Sequence, residues 1–285
     1  MIRVRLIGRM GNQMFQLAFA HAASRRLGTE FVMCREPRTG HPTIRLWRFF
    51  ELGPWGTASV RWRRRAQFRF QHGFKPDVVL CEQDDSPAGT LARLRDGLEY
   101  GGYFQSEDWF TDYADEIRRL FTVRAEHQAV FRQMFPDNEP YICMHIRRTD
   151  FFYQAGGLAL PTSYFVDALE SIPDRDRYQL VVVSDDPDAV REELGDRYTV
   201  RCSRNPAVVD LQLLANADVV ITSSSSFSWW GAWLNRRPGV RVIAPKHWLG
   251  FASGVDEPAR VIPERWVSMP VRDPPQQSTA SRAEA

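Results

Sequence analysis

Lysine is almost missing from this chain of 285 residues: of 37 basic residues only Lys75 and Lys246 are lysine, and the others are arginine. Such a bias follows from the base composition of the source genome, or from arginine serving as a planar fork for phosphate, and the two readings are compatible. Cysteine is sparse as well. Cys34, Cys81, Cys143 and Cys202 form no C-x-x-C pair, which excludes the usual zinc and disulfide-framework spacings. Cys143 and Cys202 lie in or beside apolar runs and read as core thiols, in keeping with a reducing compartment. No run approaches the ~20 apolar residues of a membrane span. The opening MIRVRLIG breaks a short apolar run with Arg3 and Arg5 and lacks the longer stretch of a signal peptide. The expectation is a cytoplasmic protein, soluble or attached to a surface only peripherally. The six histidines show no metal-ligand spacing. G-x-G-x-x-G, G-x-x-x-x-G-K-[ST] and G-x-S-x-G are all absent, so dinucleotide, P-loop and nucleophile-elbow chemistry lose their usual signatures. A net charge of +2 gives no global pull toward nucleic acid or anionic lipid.

What is present is ordinary globular material, 44% hydrophobic and 25% charged. At ~100–200 residues per domain the length fits one large or two small domains. Residues 2–7 read as a strand, Gly8 to Asn12 as a turn, and the following segment to Leu27 as a helix: the opening of an α/β domain. Residues 35–90 carry scattered Pro and Gly and little legible structure, 98–104 read as a strand, and 108–121 as one helical stripe. A further helix ends near Phe135, stopped by Pro136. The second half alternates clearly. Strands are expected at 140–146, 178–184, 198–202, 218–222 and 240–244, with helices at 161–171, 187–194, 208–215 and 227–234. That alternation predicts a doubly wound parallel sheet. The polar stretch 122–139 divides a domain over 1–130 from one over 131–270, and 271–285 reads as a disordered tail.

Ligands of open α/β sheets bind outside the carboxyl ends of the strands, and four polar clusters fall at such ends. HIRRTD, His145 to Asp150, places Arg147 and Arg148 just past a buried strand, suited to a phosphate or pyrophosphate; a structural Arg–Asp pair is the alternative. SDDP, Ser184 to Pro187, offers Asp185 and Asp186 to ribose hydroxyls, or one of them as a helix cap. In TSSSSFSWWGAWLN, Thr222 to Asn235, serines run into a helix start, an anion-binding arrangement, with Trp229, Trp230 and Trp233 read as packing. GRMGN, Gly8 to Asn12, permits close backbone approach and would present Asn12 and Gln13 to a ligand. Asp174-Arg175-Asp176 spells D-x-D but precedes its strand and reads as a solvated turn. The run Arg61 to Phe70 interleaves arginine with aromatics; it reads as a solvated basic face, or as a surface for an acidic or lipid-linked acceptor or a membrane.

In order along the chain, GRMGNQMFQLAFA, GGYFQSEDWF, HIRRTDFF, VVVSDDP and VVDLQLLANADVVITSSSSFSWWGAWLN, followed by APKHW and PERWV, resemble the ordered motifs of the bacterial α-1,2-fucosyltransferases, glycosyltransferase family 11. The resemblance spans roughly residues 3–268. It implies a GT-B-like fold of two Rossmann-type α/β domains facing a cleft. It also implies a GDP-fucose donor, inversion at the anomeric carbon, no metal or other cofactor, and transfer to the 2-hydroxyl of a galactoside. The acceptor would be a galactoside-terminated glycan or lipid-linked oligosaccharide of surface polysaccharide or O-antigen synthesis, met in contact with the inner membrane; nucleic acid is not an expected partner. On this resemblance Arg147 binds the pyrophosphate with Arg148 beside it. His145 and Asp210 lie near the guanine, Asp185 or Asp186 near the ribose, and Ser224, Ser225, Ser226 and Phe227 at the phosphate-binding helix start. Gly11, Asn12, Gln13 and Gln105 face the cleft from the first domain. From the residues themselves, Arg147 and Asp150 are the candidate catalytic pair, Asp150 as the nearest carboxylate and for orientation before proton abstraction. Thr149 and Ser224 occupy positions where many members carry Gly and Asn. Two further readings are a nucleotide-sugar or glycan-binding module without chemistry, and a transferase of the same fold with another nucleotide sugar.

Overall fold

The computed structural model describes residues 1–272 apart from 36–44, 57, 73–76, 82–85, 136–138 and 150–157, with the backbone alone at 55–56, 58–60 and 62. The chain divides into two compact units, one formed by Met1–Ala125 with Ala259–Val261, the other by Glu126–Pro258 with the chain from Ile262 onward.

In the first unit β1 (Ile2–Leu6), β2 (Phe31–Arg35), β3 (Val78–Leu80) and β4 (Glu99–Gly101) form a parallel sheet in the order β2-β1-β4-β3. The two arginines that interrupt the apolar run of β1 have a partner: Arg3 and Arg5 both engage Glu99, which is 5% exposed on the neighbouring strand. A buried carboxylate left without them would carry a large desolvation cost. α1 (Met10–Leu27) is buried over most of its surface, including Phe15, Phe19, Ala22 and Ala23, and ends at Gly28 in the left-handed region (φ +59°). α2 (Ala58–His72) packs through Phe68 against Met1 and Val32. α3 (Pro87–Ala92) is capped by the Ser86 side chain, and α4 (Ala114–Leu120) follows two single 3-10 turns.

In the second unit α5 (Ala125–Met134) leads into β5 (Tyr141–Ile146), which is buried along its whole length. There follow α6 (Thr162–Glu170), β6 (Gln179–Ser184), α7 (Pro187–Leu194), β7 (Val200–Cys202), α8 (Ala207–Ala215), β8 (Val219–Ile221), α9 (Ser226–Leu234), β9 (Arg241–Pro245) and β10 (Val267–Met269). The strands pair in parallel in the order β10-β9-β8-β5-β6-β7. The chain winds outward from β5 through β6 to β7, returns to β8 on the other side of β5, and winds outward again. That reversal between β5 and β8 is the topological switch point where doubly wound sheets bind their ligands. Trp229, Trp230 and Trp233 of α9 are buried and in mutual ring contact, so they are core, not sugar platforms. The same helix meets α8 closely at Gly231, where an added Cβ would fall 2.4 Å from the Leu214 side chain.

The elements of the second half follow the expected alternation within a residue or two, apart from the edge strand β10, which was not expected. Three readings of the first half are corrected. The Gly8–Asn12 turn is shorter than expected, because α1 already begins at Met10. The stripe over 108–121 is two 3-10 turns and then a seven-residue helix, because Phe110 adopts a non-helical conformation (φ −145°) that interrupts the run. The stretch 35–90 contains α2, β3 and α3. No helix among the described residues is long and apolar enough to cross a membrane. Of the tail expected over 271–285, the residues from 273 on lie outside the described residues.

Candidate functional site

The switch point of the second unit is bridged by one hydrogen bond. His145, near the end of β5, and Ser223, just past β8, stand 2.7 Å apart (Nδ1 to Oγ). Parallel pairing of Met144 with Ile221 sets both residues at the carboxyl edge of the sheet. The imidazole is 4% exposed and lies against the Phe227 ring. Burial, and then the charge of Arg147, push its pKa down to about 3, so it is neutral at physiological pH. It presents a fixed neutral hydrogen-bonding edge and no titrating charge.

Two residues beyond His145 the chain meets Asp185, at the end of β6. The carboxylate accepts from the Arg148 amide at 2.8 Å, from the Thr149 hydroxyl, and pairs with the Arg147 guanidinium at 3.2 Å. Burial raises its pKa, but Thr149, the Arg148 amide and Arg147 outweigh burial and hold it below the ordinary carboxylate range. Asp186 caps α7 by accepting from the Ala189 amide at 3.2 Å, with Pro187 at the first helical position. The aspartate pair has therefore split: one caps a helix, the other holds the Arg147 segment.

The two arginines split as well. Arg147 stands at the sheet edge beside Asp185. Arg148 is 3% exposed and its guanidinium is taken up by the Leu160 carbonyl (2.7 Å), the Thr162 hydroxyl (3.1 Å) and the Glu193 carboxylate. In this arrangement Arg148 anchors α6 and α7 to the strand end and only Arg147 stands where a pyrophosphate could reach it. Asp150 lies outside the described residues.

On the other side of the switch point, Ser225 caps α9, its side chain accepting from the Phe227 amide at 3.3 Å. The first amides of α9, from Ser226 on, thus converge at a helix N-terminus that follows β8, across the switch point from the β5 end that carries Arg147. Ser224 is turned away, 3% exposed, and donates to the Trp248 carbonyl at 3.0 Å. It pins a turn in which His247 and Trp248 both take left-handed conformations (φ +65° and +53°). Strain of this kind persists only where surroundings over-determine it, and it gathers at functional sites. The His247 ring there is oriented by Asp256 at 2.7 Å. Sequence reasoning missed this pair; APKHW was visible, but nothing in it foretells the conformation or the partner nine residues on. Asp210, on α8, accepts from Ser203, and burial, only partly offset by that hydroxyl, pushes its pKa up to about 6.

In the first unit Asn12 accepts from Gln105 at 2.8 Å, so these two expected residues are brought together. The Asn12 side chain fills the space a Cβ on Gly8 would need, which lies 2.3 Å from its amide nitrogen, and Gly8 has φ +70°. Gln13 does not present its side chain outward. It is 1% exposed and donates to the Gly8 carbonyl at 2.8 Å, closing the turn. Gly11 is a buried position within α1. Among the described residues no three His, Cys, Asp or Glu side chains gather as a metal site would require.

A doubly wound sheet with a partly buried arginine and a serine-capped helix start at its switch point makes up the second unit, which follows a first parallel α/β unit. The chain belongs to glycosyl transferase family 11, whose sequence profile matches residues 98–254; it is a glycosyltransferase. It is 25% identical to an alpha-1,2-colitosyltransferase of Escherichia coli, over 92% of this chain and 97% of that protein. It is 23% identical to the O-antigen biosynthesis glycosyltransferase WbnK of Escherichia coli, over 93% and 99%. Among solved structures, the fucosyltransferase NodZ from Bradyrhizobium superimposes with a TM-score of 0.53 at 16% identity, covering 81% of this chain and 91% of that one. POFUT1 in complex with GDP gives 0.52 at 13% identity, covering 85% and 97%. The fold is the GT-B-like one, built from two Rossmann-type α/β units.

Proposed function

We propose that the chain transfers L-fucose from GDP-fucose to the 2-hydroxyl of a galactoside, with inversion, in the synthesis of a surface polysaccharide or O-antigen. The observation that carries this reading is the placement of Arg147 and the α9 N-terminus on either side of the switch point. The acceptor hydroxyl forms a bond to the anomeric carbon as the bond from that carbon to the β-phosphate oxygen breaks. The electron pair leaves on GDP and the hydroxyl proton passes to solvent. Negative charge grows on the leaving phosphate, where a guanidinium and fixed backbone amides stabilise the transition state more than the ground state. The oxocarbenium character of the sugar lessens the need for a strong base. His145 and Asp210 lie on the guanine side in this reading, and Arg147 holds the pyrophosphate. No metal is required. The acceptor is lipid-linked and is met at the cytoplasmic face of the membrane.

A second donor is favoured by one observation, the likeness to a colitosyltransferase. Colitose is fucose without the 3-hydroxyl, so a pocket for one nearly fits the other. Calorimetric titration with GDP-fucose, GDP-colitose and UDP-galactose in EDTA, followed by product analysis with galactoside acceptors, tests the reading. Selective GDP-fucose binding with a 2-linked product is the expected result. Preference for GDP-colitose moves the donor, loss of binding in EDTA removes the metal-free claim, and binding without turnover on any acceptor leaves a binding module.

A further inference from the structure

The charge of the chain is not spread evenly. Between Arg45 and Lys75 there are eight basic residues and a single acidic one, Glu51, so that stretch carries +7 while the whole chain carries +2 and the remainder sums to −5. At its centre is α2, which holds Arg61, Arg63, Arg64, Arg65 and Arg69 and no acidic residue.

The helix is attached to its unit by one face. Phe68 is buried against Met1 and Val32, Arg64 pairs with Glu30 at 3.0 Å, Arg61 lies 3.8 Å from the centre of the Trp47 ring, and Arg65 donates to the Met33 carbonyl at 3.3 Å. The other face is exposed through Arg63, Ala66, Gln67 and Phe70, the helical neighbours at three-, four- and seven-residue spacing. Phe70 is 93% exposed. A phenylalanine in that condition leaves a large apolar area in water and gains nothing for the fold.

We propose that α2 docks this protein onto an anionic lipid bilayer, its arginines among the headgroup phosphates and Phe70 inserted at the acyl boundary. Cationic charge on a helix lying in the interface, with an aromatic side chain directed inward, is the combination such docking uses. A nucleic acid would also meet the charge, but base stacking calls for aromatics along a groove, whereas the described outer face of α2 offers Phe70, an apolar wedge that suits a bilayer. This deepens the reading above in which the acceptor is lipid-linked, because it names the surface that brings the enzyme to it. The binding itself is tested without any sugar, so it stands or fails apart from that reading.

The test is flotation of the full chain with vesicles of phosphatidylcholine alone, or with about a third phosphatidylglycerol, at low and physiological salt. Binding is expected only to the anionic vesicles and weakens with salt, as surface charge is screened within ~8 Å at physiological ionic strength. Near an anionic surface each arginine contributes about fivefold. Arg63→Glu with Arg69→Glu is therefore expected to weaken binding by at least about 25-fold, and Phe70→Ser by about tenfold. Unchanged melting temperature and GDP affinity of the variants show that the fold is intact. Equal binding to neutral vesicles, no binding to anionic ones, full binding by both variants, or retention on RNA with vesicles ignored would each overturn the proposal. A chain inert toward every sugar nucleotide that still floats with anionic vesicles keeps this inference and sinks the transferase reading.

Discussion

Asp185 holds Arg147. The carboxylate stands 3.2 Å from the guanidinium and also takes the Arg148 amide and the Thr149 hydroxyl, so three consecutive residues after β5 are tied to one side chain. Arg147 is thereby kept at the strand end instead of sampling solvent. Asp185→Ala is expected to raise the donor KM about tenfold, the loss of roughly one charge-assisted hydrogen bond, with kcat less affected. Because the folded carboxyl lies below its unfolded value, the stability it contributes is present at neutral pH and disappears as pH falls through the folded pKa. Urea unfolding of wild type and variant should therefore differ at pH 7 and converge in acid.

Arg147 itself is expected to act mainly in the transition state. Arg147→Ala should lower kcat by ~10²–10³, the usual loss for one donor to a developing anion. Arg147→Lys should recover part of it, since a point charge replaces a planar fork. Steady-state kinetics decide, and near-normal turnover in the alanine variant sinks the proposed mechanism.

His145, neutral at physiological pH, is expected not to be the group that titrates in the reaction. Its folded pKa of about 3 lies below the unfolded value. Its stabilising effect is complete above pH ~6.5 and is lost on acidification at about 1.4 kcal/mol per pH unit. His145→Gln should remove that slope from the pH dependence of unfolding and leave the acid limb of kcat in place.

Asp210 behaves in the opposite sense. A carboxyl raised to about 6 favours the folded state when protonated, below its unfolded pKa, and that contribution is lost as pH rises through 6. Asp210→Asn should unfold at higher denaturant than wild type at pH 8, by roughly 1–3 kcal/mol, while binding GDP more weakly. A variant both less stable and unchanged in GDP affinity would take Asp210 off the guanine side.

Gly231→Ala should destabilise the second unit by about 1–3 kcal/mol, because the new methyl has no room against Leu214 and α8 and α9 would have to separate. Thermal unfolding with and without GDP measures both the loss and its effect on the helix start.

The sequence made the second unit nearly transparent. Its strands are short apolar runs and its helices open on Pro or Ser, so period and caps agree. The strand-end clusters could be placed, but their division of labour could not. HIRRTD does not reveal that Arg148 turns inward to Glu193, whose place 45 residues on depends on how α7 packs. SDDP left both aspartates open, and only the cap bond to Ala189 separates them. The first unit was harder because its contacts are remote or its elements short. β3 and β4 have three residues each, and Arg3 and Arg5 make sense only once Glu99 lies beside them. Thr149 and Ser224, the two departures from the common family pattern, both turn out to hold neighbouring backbone in place, through Asp185 and through the Trp248 carbonyl.

The bond between His145 and Ser223 spans 78 residues of chain. During synthesis β5 emerges with one edge filled by β6 and the other vacant until β8 follows, so one half of the switch point is made long before its counterpart exists. Pairings of such sequence separation form late. A nascent chain halted before residue 219 therefore exposes an unpaired edge of a strand that is buried along its whole length in the finished fold, an aggregation hazard. The seam that creates the binding crevice is thus also the step at which this protein most depends on timely completion of its own synthesis.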